Sequence, residues 1–144
     1  MIYLDSCALT KLVIDEKESR GLDTYLEDRW DESISSELAL TELVRVVRRS
    51  CYDAQRRLKV ERDILDSRLA KATEILDRID HVLVETDTLV RAGMFTDDPH
   101  LGSLDAIHLV SALEVGTDLK SFVTYDKALA RAATGLGLPV EQPA

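Results

Sequence analysis

The chain has 144 residues, enough for one domain to bury most of its apolar surface without covalent staples. Its 18 Lys and Arg stand against 27 Asp and Glu, a formal net charge of -9, which argues against a protein that coats nucleic acid through bulk positive charge. No apolar run approaches the roughly 20 residues needed to cross a bilayer. With no secretory leader before the first strand, and with Cys7 and Cys51 lacking metal-ligand spacing, the expectation is a soluble, cytoplasmic protein with reduced thiols.

Ile2-Tyr3-Leu4 is a short apolar run of strand formers that ends in a carboxylate, Asp5, and a hydroxyl, Ser6. A buried parallel strand ending in an acid delivers it to the carboxyl edge of a sheet, where open α/β folds build their sites. A helix is expected from about residue 6 and a second over 16–28, with Leu22, Tyr25 and Leu26 as its apolar stripe. A short strand at 32–35 leads into a helix over 36–49, for which Ser35 or Ser36 can serve as N-cap and Glu37 complements the dipole. Residues 52–80 carry Ile64, Leu65, Leu69, Ala72, Ile75, Leu76 and Ile79 at helical spacing, as one long helix or a hairpin of two.

Residues 81–85 read as a third strand and 88–94 as a short helix. Residues 95–102, with Asp97, Asp98, Pro99 and Gly102, read as a loop. A helix over 103–115 precedes Gly116, a strand at 121–124, and a helix over 126–134 that Gly135 and Gly137 end; residues 139–142 can add an edge strand. Strands alternating with helices imply an α/β fold, with a central parallel sheet, right-handed crossovers and helices covering it. Neither repeat nor linker divides the chain, so a single domain is expected over 1–144.

Four acids occupy comparable places and together suggest a metal site made of carboxylates. Asp5 and Asp126 follow strand-like runs, although Asp126 would also serve simply as a helix N-cap. On the 103–115 helix, Asp105 falls with Leu109 and Ala112 at the edge of the apolar face, while His108, Ser111 and Glu114 gather on another. A first-turn acid gains ~0.3–1 kcal/mol from the helix dipole. That explains an exposed acid better than one facing the core, where a desolvated carboxylate needs a cation or donors. Glu42 borders the stripe of Ala39, Leu43, Val46 and Val47; its plain alternative is an ion pair with Arg45, worth ~0.2–0.5 kcal/mol. His108 reads as a satisfied helix histidine rather than a general base. Positive charge is concentrated in Arg45, Arg48, Arg49, Arg56, Arg57, Lys59 and Arg62, which fits a solvated helical face or a contact surface.

The opening Ile2-Tyr3-Leu4-Asp5-Ser6, the stretch Leu40-Thr41-Glu42-Leu43, the block Leu104-Asp105-Ala106-Ile107-His108-Leu109-Val110-Ser111-Ala112, and Phe122-Val123-Thr124-Tyr125-Asp126 resemble the PIN-domain ribonucleases. Within them the resemblance is to the VapC toxins of bacterial toxin–antitoxin pairs, and it spans the chain in order. It implies a PIN-like three-layer α/β/α fold on a central parallel sheet with one Mg²⁺ or Mn²⁺ site. Asp5, Glu42, Asp105 and Asp126 match the family's acidic quartet, and Ser6 and Thr124 match the hydroxyl positions beside it. It further implies an RNA substrate, a homodimer, and a small cognate antitoxin whose tail enters the active-site groove. Cys7 departs modestly from the family, standing where a small hydroxyl or aliphatic residue is common.

Hard oxygen ligands select Mg²⁺ or Mn²⁺ over zinc. Asp5 and Asp105 are then the expected direct ligands, with Glu42 and Asp126 as further ligands, water-mediated ligands or orienters of the attacking water. A water nucleophile would leave 5′-phosphate and 3′-hydroxyl ends. Arg45, Arg48 and Arg49 become the candidates for contact with RNA or antitoxin. Two other classes compete. A haloacid-dehalogenase-type phosphohydrolase also opens with a strand and an Asp, but needs a second Asp two residues on, where this chain has Cys7. A non-catalytic interaction module could share the fold with a degenerate site, yet none of the four acids is missing.

Overall fold

A computed structural model describes every residue of the chain except Thr96, which falls in the loop expected at 95–102 and lies outside the described residues. Among the described residues, five parallel strands form one sheet in the order β3-β2-β1-β4-β5, with seven α-helices around it. The strands are β1 (Ile2–Leu4), β2 (Ser33–Ser36), β3 (Asp80–Val82), β4 (Ser121–Val123) and β5 (Val140–Glu141). The helices are α1 (Ser6–Val13), α2 (Ser19–Leu26), α3 (Ala39–Ser50), α4 (Arg62–Arg78), α5 (Thr86–Gly93), α6 (Ser103–Val115) and α7 (Lys127–Gly135). The central strand β1 pairs with β2 on one side and β4 on the other, Tyr3 lying opposite both Ile34 and Phe122. Strand order therefore reverses between β1 and β4, the point at which doubly wound sheets open a crevice at their carboxyl ends.

Side-chain alternation along β1 sorts the two cores. Ile2 and Leu4 pack with α1, α2, α3 and α4 through residues such as Leu9, Leu12, Leu22, Leu43 and Ile75. Tyr3 turns the other way, with Phe122, and packs on Leu109 of α6 and Leu129 of α7. These are the three α/β/α layers that the alternating pattern implied. In α6 every residue from Ala106 to Ala112 is buried, so the His108–Ser111 stripe that helical periodicity separates from the apolar face is inside the protein as well. Among the described residues, no helix is long and apolar enough to cross a membrane.

Three local expectations are corrected. The helix expected from residue 36 begins at Ala39, and neither Ser35 nor Ser36 caps it in the usual sense. Ser35 Oγ instead donates to the Leu4 carbonyl at 2.6 Å, tying β2 to β1, while Ser36 Oγ accepts from the Leu38 amide and Glu37 accepts from the Val84 amide at 3.0 Å. The stretch from residue 52 is not helical until Arg62. The Asp53 carboxylate accepts from the amides of Gln55 and Arg57, and Arg56 adopts a φ of 62°, so a local turn wins over helix despite the spacing downstream. The third strand is the short Asp80–Val82 rather than 81–85. The helix expected at 103–115 and the terminal edge strand within 139–142 form as expected.

Candidate active site

Asp5 follows β1 directly and caps α1, its Oδ1 accepting from the Ala8 amide at 2.7 Å. Its other oxygen accepts from Thr124 Oγ1 at 2.5 Å, the hydroxyl that follows β4. The side chain is 2% exposed. Burial, with Asp105 adding to it, raises its carboxyl from 3.8 to about 6, against the bonds from Thr124 and Ala8 and the nearby His108 ring, which hold it down. Thr124 also accepts from the Asp126 amide, and Asp126 caps α7 by accepting from the Leu129 amide at 2.8 Å. One hydroxyl thus joins the two acids at the ends of β1 and β4, where strand order reverses.

The other two acids arrive on helices. Glu42 lies in the first turn of α3, its side chain 13% exposed, with Oε1 against His108 Nε2 at 2.7 Å and Oε2 accepting from Ser6 Oγ at 3.3 Å. The ion pair with Arg45 that its spacing allowed is replaced by the contact with His108. Asp105, in the first turn of α6, is partly buried. Burial raises its carboxyl pKa, followed by the charge of Asp126, with His108 lowering and Glu42 raising it. Asp105 is therefore the acid through which Asp5, Asp126 and Glu42 are linked electrostatically.

Among the described residues, no three His, Cys, Asp or Glu side chains stand together so as to hold a metal ion. Each oxygen of Asp5 and of Glu42 already has a protein partner. A carboxylate oxygen has lone pairs to spare for a second partner. The donor set suits a hard cation. It is all oxygen, burial raises the carboxyls of Asp5 and Asp105, and the neighbouring Cys7 thiol is pushed up to about 11 by burial and the Asp5 charge, leaving it no thiolate ligand at neutral pH.

The arginines run from Arg45, one turn beyond Glu42, to Arg48 and Arg49 in the last turn of α3. Arg45, Arg48 and Arg49 are exposed and line one groove with Tyr52, Asp53 and Arg56, which the turn after α3 folds back beside them. Arg62, from the same basic run, instead faces Asp66 on α4 at 3.6 Å. Tyr3 was missed as part of the site. Its hydroxyl meets His108 Nδ1 at 2.7 Å, and no spacing in the chain links positions 3, 42 and 108. The single available signal is a polar atom in the middle of an apolar strand, since a buried Tyr hydroxyl needs a partner.

A doubly wound parallel sheet with carboxylates at the carboxyl ends of its central strands defines a class of α/β domain. Residues 2–135 match the PIN domain family, and the chain belongs to it. It is 33% identical over 146 positions to ribonuclease VapC47 of Mycobacterium tuberculosis (strain CDC 1551 / Oshkosh), covering 99% of this chain and 97% of that protein. Ribonuclease VapC35 of Mycobacterium tuberculosis (strain ATCC 25618 / H37Rv) is 35% identical over 147 positions, and ribonuclease VapC46 of the same strain 34% over 145, with the same coverage of both chains.

Proposed function

We propose that the chain is a divalent-metal-dependent endoribonuclease, the toxin of a toxin–antitoxin pair, working as a single domain. The observation that supports the reading most is a buried acid, Asp5, at the end of β1 beside Asp126 after β4, with Asp105 from α6 acting electrostatically with Asp5, Asp126 and Glu42. The ribonuclease relatives support the chemistry. Mg²⁺ or Mn²⁺ bound there supplies charge to the scissile phosphate and lowers the pKa of a water. Asp5 and Asp105 hold the ion, and Glu42 and Asp126 complete its surroundings or orient the attacking water. Ser6 and Thr124 hold the carboxylates of Glu42 and Asp5 through their hydroxyls. Water as nucleophile leaves 5′-phosphate and 3′-hydroxyl ends.

The partners in this reading are RNA, a small cognate antitoxin and a second copy of the chain, in the cytoplasm. The test is end-mapping of RNA incubated with the protein and Mn²⁺, with excess EDTA, or with the Asp5→Asn variant. Cleavage with 5′-phosphate products in the first sample alone is expected; equal cleavage in all three would refute the reading.

The arginine groove makes a separate prediction. If Arg45, Arg48 and Arg49 contact phosphates, each Ala replacement should weaken RNA binding and reduce the slope of log affinity against log salt by about 0.7–0.9 per lost contact. Titrations at several salt concentrations measure this. Unchanged slopes in all three variants would return the groove to a solvated helical face, and antitoxin binding should be measured separately on the same proteins.

A further inference from the structure

A chain of buried polar groups links the middle of β1 to the acid cluster. Tyr3 is 0% exposed and His108 1%. The Tyr3 hydroxyl lies 2.7 Å from His108 Nδ1, and His108 Nε2 lies 2.7 Å from Glu42 Oε1. One arrangement of hydrogens satisfies every member with a neutral imidazole. An ionised carboxylate only accepts, so Nε2–H donates to Glu42; Nδ1 is then an acceptor, and the Tyr3 hydroxyl donates to it. Tyr3 has little room to move. Its ring stacks on Phe122, with centroids 5.3 Å apart and planes 9° apart, and stands edge-on to the imidazole at 5.9 Å.

The imidazole is thus oriented from the core, and it divides the two oxygens of Glu42. Oε1 is held by the histidine, while Oε2 lies on the side of Ser6, the residue next to Asp5. A buried imidazole needs partners in any case, but these two fix its ring between the core and one particular oxygen of Glu42. A fully satisfied buried network specifies one geometry for its members.

We propose that His108 is a positioning residue that holds the Glu42 carboxylate toward the acid cluster, with Tyr3 fixing the imidazole behind it. The proposal rests on the reading of the site as a metal-dependent ribonuclease. Hydrogen-bonded partners one step behind a metal's ligands commonly account for 10–100-fold in metal affinity or activity. His108→Leu keeps an apolar filling and removes both hydrogen bonds. It is expected to weaken Mn²⁺ binding, followed by the electron paramagnetic resonance of the free ion, or to lower kcat for RNA cleavage, in either case by about 10–100-fold, with KM for RNA little changed. His108→Gln, whose amide can still donate toward Glu42, should recover part of whichever falls.

If His108→Leu fails to give a cooperative melt, Tyr3→Phe decides the matter, because it keeps the ring stack and removes only the hydroxyl. A severalfold loss of Mn²⁺ affinity or kcat in that variant supports the proposal, and parental values overturn it. A folded His108→Leu protein with parental Mn²⁺ affinity and kcat, or with a loss confined to KM, also overturns it. A parent that neither binds Mn²⁺ nor cuts RNA overturns the ribonuclease reading and the proposal with it. A parent that does both while His108→Leu equals it overturns the proposal alone.

Discussion

Asp5→Asn is expected to lower RNA cleavage in Mn²⁺ by at least about 10²–10³-fold while leaving the fold standing. Asparagine has nearly the shape of aspartate. Its carbonyl oxygen can accept from the Ala8 amide, and its NH₂ group can donate to Thr124 Oγ1 once that hydroxyl no longer donates. What is lost is charge, and in the metal-free protein that charge opposes folding. Burial raises the Asp5 carboxyl from 3.8 to about 6, so the native state holds the proton more tightly than the unfolded chain. Stability through this group therefore falls as pH rises from about 3.8 to about 6, and the deficit is complete above that window. At 1.36 kcal/mol per pH unit it amounts to about 3 kcal/mol.

In EDTA at pH 7 the Asn variant should thus melt no lower than the parent. As pH falls through 6 toward 4, the parent should gain on the variant. Melting curves across that range, beside cleavage assays, measure both effects. A variant that cuts RNA at the parental rate would remove Asp5 from the chemistry, and one that melts far below the parent at pH 7 would make Asp5 chiefly a helix cap.

Mn²⁺ at a hundred times its Kd should stabilise the native parent by about 2.7 kcal/mol. For a domain of this size that is roughly 5–10 °C in Tm. Asp105→Asn should respond less. Burial and the charge of Asp126 both raise the Asp105 carboxyl, so its ionisation also costs stability when no cation is present. In EDTA at neutral pH, Asp105→Asn should melt at the parental temperature or above it while losing activity. A melting series for both proteins with and without metal makes the comparison. If the variant is much less stable in EDTA and metal shifts both alike, Asp105 is an acid that merely starts a helix.

Local chemistry made much of the fold legible in the chain. Short apolar runs and period-3.6 patterns located the strand–helix alternation and the span of α6, because such signals act within a strand or a few helical turns. The same patterns set Asp5 and Asp126 after strands and Asp105 in a first helical turn, where the structure has them, while Glu42, read a turn further into its helix, comes into the first turn because α3 starts only at Ala39. The turn beginning at Asp53 was misread. Spacing that was correct from Ile64 onward was extended back over residues whose amides an aspartate side chain takes instead.

By itself, then, the sequence determined a parallel α/β domain, with Asp5 and Asp126 after strands and Asp105 at a helix start. The tertiary structure alone decided which elements became neighbours. The β3-β2-β1-β4-β5 order sets β1 beside β4, so that Thr124 reaches Asp5 across 119 positions of chain. It also buried the polar stripe of α6, joining His108 to Glu42 and Tyr3 across 66 and 105 positions. Such contacts leave no periodic trace, because a buried hydroxyl, imidazole or carboxylate must find a partner wherever packing brings one within reach.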